Sequence, residues 1–167
     1  MKKMLEDANA NGYAVMAINC FNLETARSVI RAAEEENAPI IINIYKDHLL
    51  THSDSELITP IVRTLAERAK VNVCLNLDHG EEKWYLKKAI DDGFSSVMVD
   101  ASRFDLAENI EMTREIADYA HAHGASAEGE IGCLGASEGG AFTKDSMYTD
   151  PTQAKEFVEK TGVDALA

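Results

Sequence analysis

The chain has 167 residues, 46% of them apolar, and carries 16 Lys and Arg against 29 Asp and Glu for a formal charge of −13. That is enough for one domain with a sizeable core, while the acidic balance and the lack of a basic cluster exclude a surface built to track nucleic acid or dock on anionic lipid. Cys20, Cys74 and Cys133 are odd in number and lack CxxC spacing, which points to buried thiols in a reducing cytoplasm rather than a disulfide framework. No run approaches the ~18 apolar residues of a membrane span, and the opening MKKMLEDANANGYAV turns acidic where a signal peptide is apolar.

Short apolar runs recur along the chain: AVMAINC (14–20), PIIINIY (39–45), VNVCLNLDH (71–79), SSVMVDAS (95–102) and ASAEGEIG (125–132). Most are continuous rather than alternating, the mark of strands buried on both faces in a parallel sheet. Helices are expected between them. Asn22 caps one whose apolar face is Leu23, Ala26, Val29, Ile30 and Ala33. Leu57 to Ala69 reads as the next, with Pro60 tolerable only in its first turn. A helix around Trp84, Leu86, Ala89 and Ile90 stops at Gly93. Asp105 and Glu108 make a capping-box pattern for another that stops at Gly124. Asp150, Pro151 and Gln153 supply a cap, a first-turn proline and a capping partner for a helix ending near Gly162, and VDALA (163–167) opens a sixth strand.

Strand then helix, repeated five times, is βαβ logic. An open doubly wound sheet and a (β/α)8 barrel both fit. Neither GxGxxG nor GxxxxGK[ST] follows any strand, which favours the barrel. The predicted fold is therefore an incomplete (β/α)8 TIM barrel, a single α/β domain over 1–167 with about five units and the start of strand six.

A barrel's active site lies at the carboxyl ends of its strands. Those ends carry Asn19 and Asn22, Tyr45 to His48, Asp78 and His79, Asp100, and Glu128 with Glu130. Adjacent residues on a strand face opposite ways, so Asp78 and His79 share a site only if the chain bends, which Gly80 permits; otherwise Asp78 caps the next helix and His79 packs under a loop. Asp100, Glu128 and Glu130 gather like charge that calls for a cation, unless Asp100 is a helix cap and one glutamate is solvated. The stretch 132–150 has four glycines and no periodicity, as in an active-site lid, and Glu138 lies within it. His121 and His123 read as structural at a helix end, and His48 and His52 as surface residues.

Six segments, AINCFNLETARSVIRAAEE, LNLDHG, GFSSVMVDAS, ENIEMTREIADYAHAHG, AEGEIGCLGASEGG and YTDPTQAKEFVEKTGVDALA, together resemble the class II fructose-bisphosphate and tagatose-bisphosphate aldolases over nearly the whole chain. The resemblance implies a catalytic Zn2+ with His79 among three histidine ligands, polarising dihydroxyacetone phosphate and stabilising its enediolate. It implies that Asp100 and Glu130 lie near a second or displaced metal position, for a further divalent or monovalent cation. It makes Asp78 the handler of the hydroxyl proton at the bond cleaved, Glu138 the loop base for the carbon-bound proton, and Asn19 a substrate contact. The expected reaction is aldol cleavage of a ketose bisphosphate or related sugar phosphate, in a homodimer or homotetramer when full length. The alternative is a non-catalytic aldolase-like partner subunit. Tyr45 and Glu81 stand where the family usually has serines. The family also continues past the position of Ala167 into further zinc histidines and phosphate loops, so these 167 residues are expected to be a fragment, inactive alone.

Overall fold

The computed structural model describes residues 1–132 and 149–167; Cys133 and Glu138 lie outside the described residues. Six strands, β1 (Met16–Asn19), β2 (Ile40–Tyr45), β3 (Val73–Gly80), β4 (Ser96–Val99), β5 (Ser126–Gly129) and β6 (Ala165–Leu166), alternate with helices α1 (Lys2–Asn11), α2 (Leu23–Glu35), α3 (Lys46–Thr51), α4 (Ser55–Arg68), α5 (Lys83–Asp92), α6 (Leu106–Ala122) and α7 (Pro151–Thr161). The strands pair in parallel in chain order, β1 through β6. A doubly wound sheet reverses direction at its switch point and a barrel does not, so the unbroken order makes this sheet a curled half-barrel.

The pleat sorts the strand residues. Ile40, Ile42 and Ile44 of β2, Leu75 and Leu77 of β3, Val97 and Val99 of β4 and Ala127 of β5 join the core beneath the helices. The opposite face carries a polar belt, with Asn19, Asn43, Asn76, Ser96 and Ser126 aligned in register across five strands. Asn76 Nδ2 donates to Asn43 Oδ1 at 3.1 Å. β1 is an edge strand and largely exposed, Met16 at 64%.

Local signals place most of the helices. Asn22 and Thr25 form a reciprocal capping box on α2. Asp105 accepts from the Glu108 amide at 2.9 Å, and Gly93 and Gly162 end α5 and α7 in the left-handed conformation. Two expectations need correction, and two helices, α1 and α3, were not anticipated. Pro60 is the sixth residue of α4, beyond the first turn, because the helix starts at Ser55; it lies on the exposed side. Asp150 caps α7 through the Thr152 amide at 2.7 Å rather than through Gln153. An unanticipated helix, α1, covers the amino-terminal end of the sheet, where the Lys2 amide donates to Ser126 Oγ at 3.1 Å. Among the described residues, no helix is long and apolar enough to cross a membrane.

Candidate metal centre

The register of β3 against β4 builds the site. Leu77 pairs with Val97 and Gly80 with Val99, so Asp78 and His79 together oppose Met98 alone. Two residues against one is a β-bulge, and it turns both side chains of an adjacent pair toward the inner face. The bend falls at His79, at φ +53°, rather than at Gly80 as expected. A non-glycine residue there costs about 1–3 kcal/mol and persists where surrounding structure imposes it. Gly80 serves packing instead, since a Cβ on it would collide with Leu86 and the Met98 carbonyl.

Around His79 the strand ends converge. Its Nδ1 lies 2.9 Å from Asp100 Oδ2 and 3.6 Å from Glu130 Oε2, and one potential ligand atom from each of the three falls within 4.8 Å of the others. Asp100 does not cap a helix; its Oδ1 accepts from the Ser102 amide at 3.3 Å and hydroxyl at 2.8 Å. Asp78 is no cap either, because the N-cap position of α5 is Glu82, four residues on. Instead Asn19 Nδ2 donates to Asp78 Oδ2 at 3.2 Å across the belt. Glu130 is 7% exposed and its main-chain carbonyl is held by Asn109 Nδ2 at 2.8 Å, yet among the described residues its Oε2 has no hydrogen-bond partner.

Charge at this rim is unbalanced. Burial, then the charges of Asp78 and Glu130, pushes the Glu128 carboxyl up to about 7. Burial and Asp100 likewise raise Glu130. Burial opposes a charge on His79, but the Asp100 hydrogen bond and the surrounding carboxylates outweigh it and hold the imidazole above its usual value. Asp100 goes the opposite way: burial would raise it, and the bonds from His79 and Ser102 bring it below the ordinary carboxylate range.

A divalent cation fits this donor set. It would give Glu130 Oε2 a partner and relieve the repulsion that raises Glu128 and Glu130, and one imidazole with two carboxylates suits a borderline to hard ion. Asp100 and Glu130 lie in one cluster with His79.

The remaining predicted residues sort plainly. His48 is half-buried rather than a surface residue, packing edge-on against Phe21 and Tyr45 at ring separations of 5.4 and 5.8 Å; Tyr45 in turn lies 5.9 Å from the His79 ring. His121 pairs with Asp164 at 2.9 Å, and His123 stacks on Tyr119 at 4.2 Å, both structural as read. Cys20 and Cys74 are free and buried. Sequence reading missed the supports Ser102 and Asn109. It also missed the bridge in which Lys46 and Arg103 converge on Glu81, whose partners lie 35 and 22 residues apart in the chain with no local pattern to announce them.

These features define a carboxylate-rich candidate metal site at the carboxyl rim of a parallel α/β barrel wall. The whole chain, residues 1–167, matches the family described as fructose-bisphosphate aldolase class-II, and the protein belongs to that family. It is 41% identical over 169 aligned residues to a fructose-bisphosphate aldolase of Staphylococcus aureus strain Mu50, covering 100% of this chain but 59% of that protein. Among solved structures it resembles the YdjI aldolase of Escherichia coli K12, with a TM-score of 0.86 at 35% identity over 99% of this chain and 59% of that one. It also resembles the fructose-bisphosphate aldolase of Campylobacter jejuni, with a TM-score of 0.81 at 26% identity over 96% of this chain and 53% of that one. The chain thus spans about three-fifths of the length of the curated relatives it matches.

Proposed function

We propose that the complete protein catalyses reversible, zinc-dependent aldol cleavage of a ketose phosphate, fructose 1,6-bisphosphate or a tagatose or related analogue, to dihydroxyacetone phosphate and an aldehyde. The observation that carries this reading is the bulge at Asp78 and His79. It sets a carboxylate beside an imidazole that shares a 4.8 Å cluster with Asp100 and Glu130, which puts an acid–base group next to a candidate cation site.

His79, Asp100 and Glu130 would hold the ion, whose contribution when bound is to polarise the substrate carbonyl. Asp78, oriented by Asn19, takes the proton of the hydroxyl at the bond being cleaved and returns it to the aldehyde oxygen in condensation. Glu138, outside the described residues, is assigned the carbon-bound proton on the strength of the family resemblance. The complete enzyme is taken to be a cytoplasmic homodimer or homotetramer, in keeping with the free buried thiols.

Chelation of the complete protein should abolish aldol cleavage, and zinc should restore it. Full activity in chelator, or borohydride trapping of a covalent lysine imine, would instead assign the electrophile to a lysine.

A further inference from the structure

The metal cluster has a flank formed by the ends of β2, β3 and β4. Two cations stand there, and both are engaged by one carboxylate. Lys46 Nζ donates to Glu81 Oε1 at 3.0 Å, and Arg103 Nη1 donates to Glu81 Oε2 at 2.7 Å. Lys46 also lies 3.5 Å from Glu82 Oε2. Its side chain is only 12% exposed. Burial opposes its charge, and the bonds to Glu81 and Glu82 more than offset that penalty. Arg103 lies over Phe104, 4.8 Å from the ring centroid, which leaves Glu81 spanning three strand ends. Beside this bridge the flank is aromatic, with Tyr45 against His79 and His48 and His52 against Phe21 at 5.3 Å.

Glu81 is two residues from His79 and three from Asp78, and its bonds to Lys46 and Arg103 set a charged bridge across the strand ends beside the cluster. A phosphate dianion arriving here would find both cations already neutralised and would have to displace a carboxylate from a half-buried lysine. Its own desolvation would then go largely uncompensated. An uncharged polyhydroxy group meets no such barrier, and hydroxyls can share the outer lone pairs of Glu81 and pack on the Tyr45 ring.

We infer that Glu81 is a specificity-determining residue that closes this flank to phosphate, so that the aldehyde partner is an unphosphorylated hydroxyaldehyde and the substrate a ketose phosphate with an uncharged far end. This rests on the aldol reading and narrows its substrate class.

The test is condensation by the complete zinc-loaded protein of dihydroxyacetone phosphate with glyceraldehyde or with glyceraldehyde 3-phosphate, comparing kcat/KM for the two. The unphosphorylated aldehyde should be preferred. Glu81→Ser frees Arg103 and leaves Lys46 only its longer contact to Glu82, and should move the ratio about tenfold toward the phosphorylated aldehyde, the effect of one additional charge-assisted hydrogen bond to the phosphate. Glu81→Gln, which keeps the acceptor oxygen but not the charge, should move it less. Adding Lys46→Met to Glu81→Ser should cancel the increase, which a merely structural role for Glu81 would not predict; thermal melting establishes that each variant folds. Preference of the unaltered protein for glyceraldehyde 3-phosphate, or a ratio unmoved in folded Glu81→Ser and Glu81→Gln, overturns the inference while leaving the aldol reading intact. Turnover of neither aldehyde removes the aldol reading and this inference with it.

Discussion

The two ends of the half-barrel each bury carboxylates, and they treat them in opposite ways. At the amino-terminal end the Asp164 side chain, 1% exposed, accepts from His121 Nε2 at 2.9 Å and from the Ala127 amide at 3.0 Å, with Lys2 Nζ 3.1 Å from its other oxygen. That approach supplies charge, although the oxygen lacks an aligned hydrogen bond. Burial alone would raise the Asp164 carboxyl, yet these partners bring it below its ordinary range. At the carboxyl end Glu128 and Glu130 are raised, and among the described residues Glu130 Oε2 has no hydrogen-bond partner, only the His79 ring at 3.6 Å. The same fold therefore neutralises an acid at its amino-terminal end and leaves acids in conflict at the candidate metal site. A perturbed carboxyl points to function only when the protein's own groups fail to answer its charge.

The largest effects should come from the unanswered end. Asp78→Ala should lower aldol cleavage by about 10²–10⁴-fold, the range for loss of a general acid–base group, while zinc content measured by mass spectrometry stays near that of the unaltered protein. His79→Ala should lose the metal as well as the activity, because only that change removes a ligand. Equal metal loss in both variants would merge two roles that the bulge geometry separates.

Stability should then respond to pH with opposite signs at the two ends. The folded pKa of Asp164 is lowered, so its stabilisation is present above the unfolded value near 3.8 and fades as pH falls through the folded value. Asp164→Asn should cost about 1–3 kcal/mol at neutral pH, and the difference should shrink in acid. Glu128 is raised from 4.5 to about 7, so ionising it in the folded, metal-stripped protein costs stability progressively between those values and fully above the upper one. Glu128→Gln should therefore raise the melting temperature of chelated protein at pH 8 and change it little at pH 4. Parallel pH profiles for the two variants would show that the ends do not differ in kind.

Much of this architecture was legible in the chain. Continuous apolar runs announced a parallel sheet, and caps at Asn22, Asp105 and Asp150 located helices, because both signals are local. The convergence of the acids on the Asp-His pair was legible, since the ends of neighbouring parallel strands share one rim. The bend at His79 was not, because a bulge belongs to the pairing of two strands and leaves no trace in one. The helix over Lys2–Asn11 was hidden by its polarity, as only Ala8 is buried. Pro60 shows tertiary packing carrying a helix past a residue that propensity would place at its start.

The smallest expected effect tests how far the polar belt reaches into the chemistry. Asn19 and Asp78 are 59 residues apart, and the 3.2 Å bond between them joins an exposed edge strand to the strand that carries the bulge. Asp78 is 9% exposed, so its carboxylate has little water to replace that donor. Asn19→Ala should free one oxygen of Asp78 to rotate, and the loss of one modest hydrogen bond, about 0.5–1.5 kcal/mol, corresponds to about a two- to tenfold fall in kcat. Zinc affinity should not change, because Asn19 is outside the ligand cluster, and Asn19→Asp should be worse than Asn19→Ala, because a second carboxylate there repels Asp78 rather than orienting it. If Asn19→Ala instead raised KM at constant kcat, Asn19 would be binding substrate directly, and the belt would serve as a contact surface rather than as a support for Asp78.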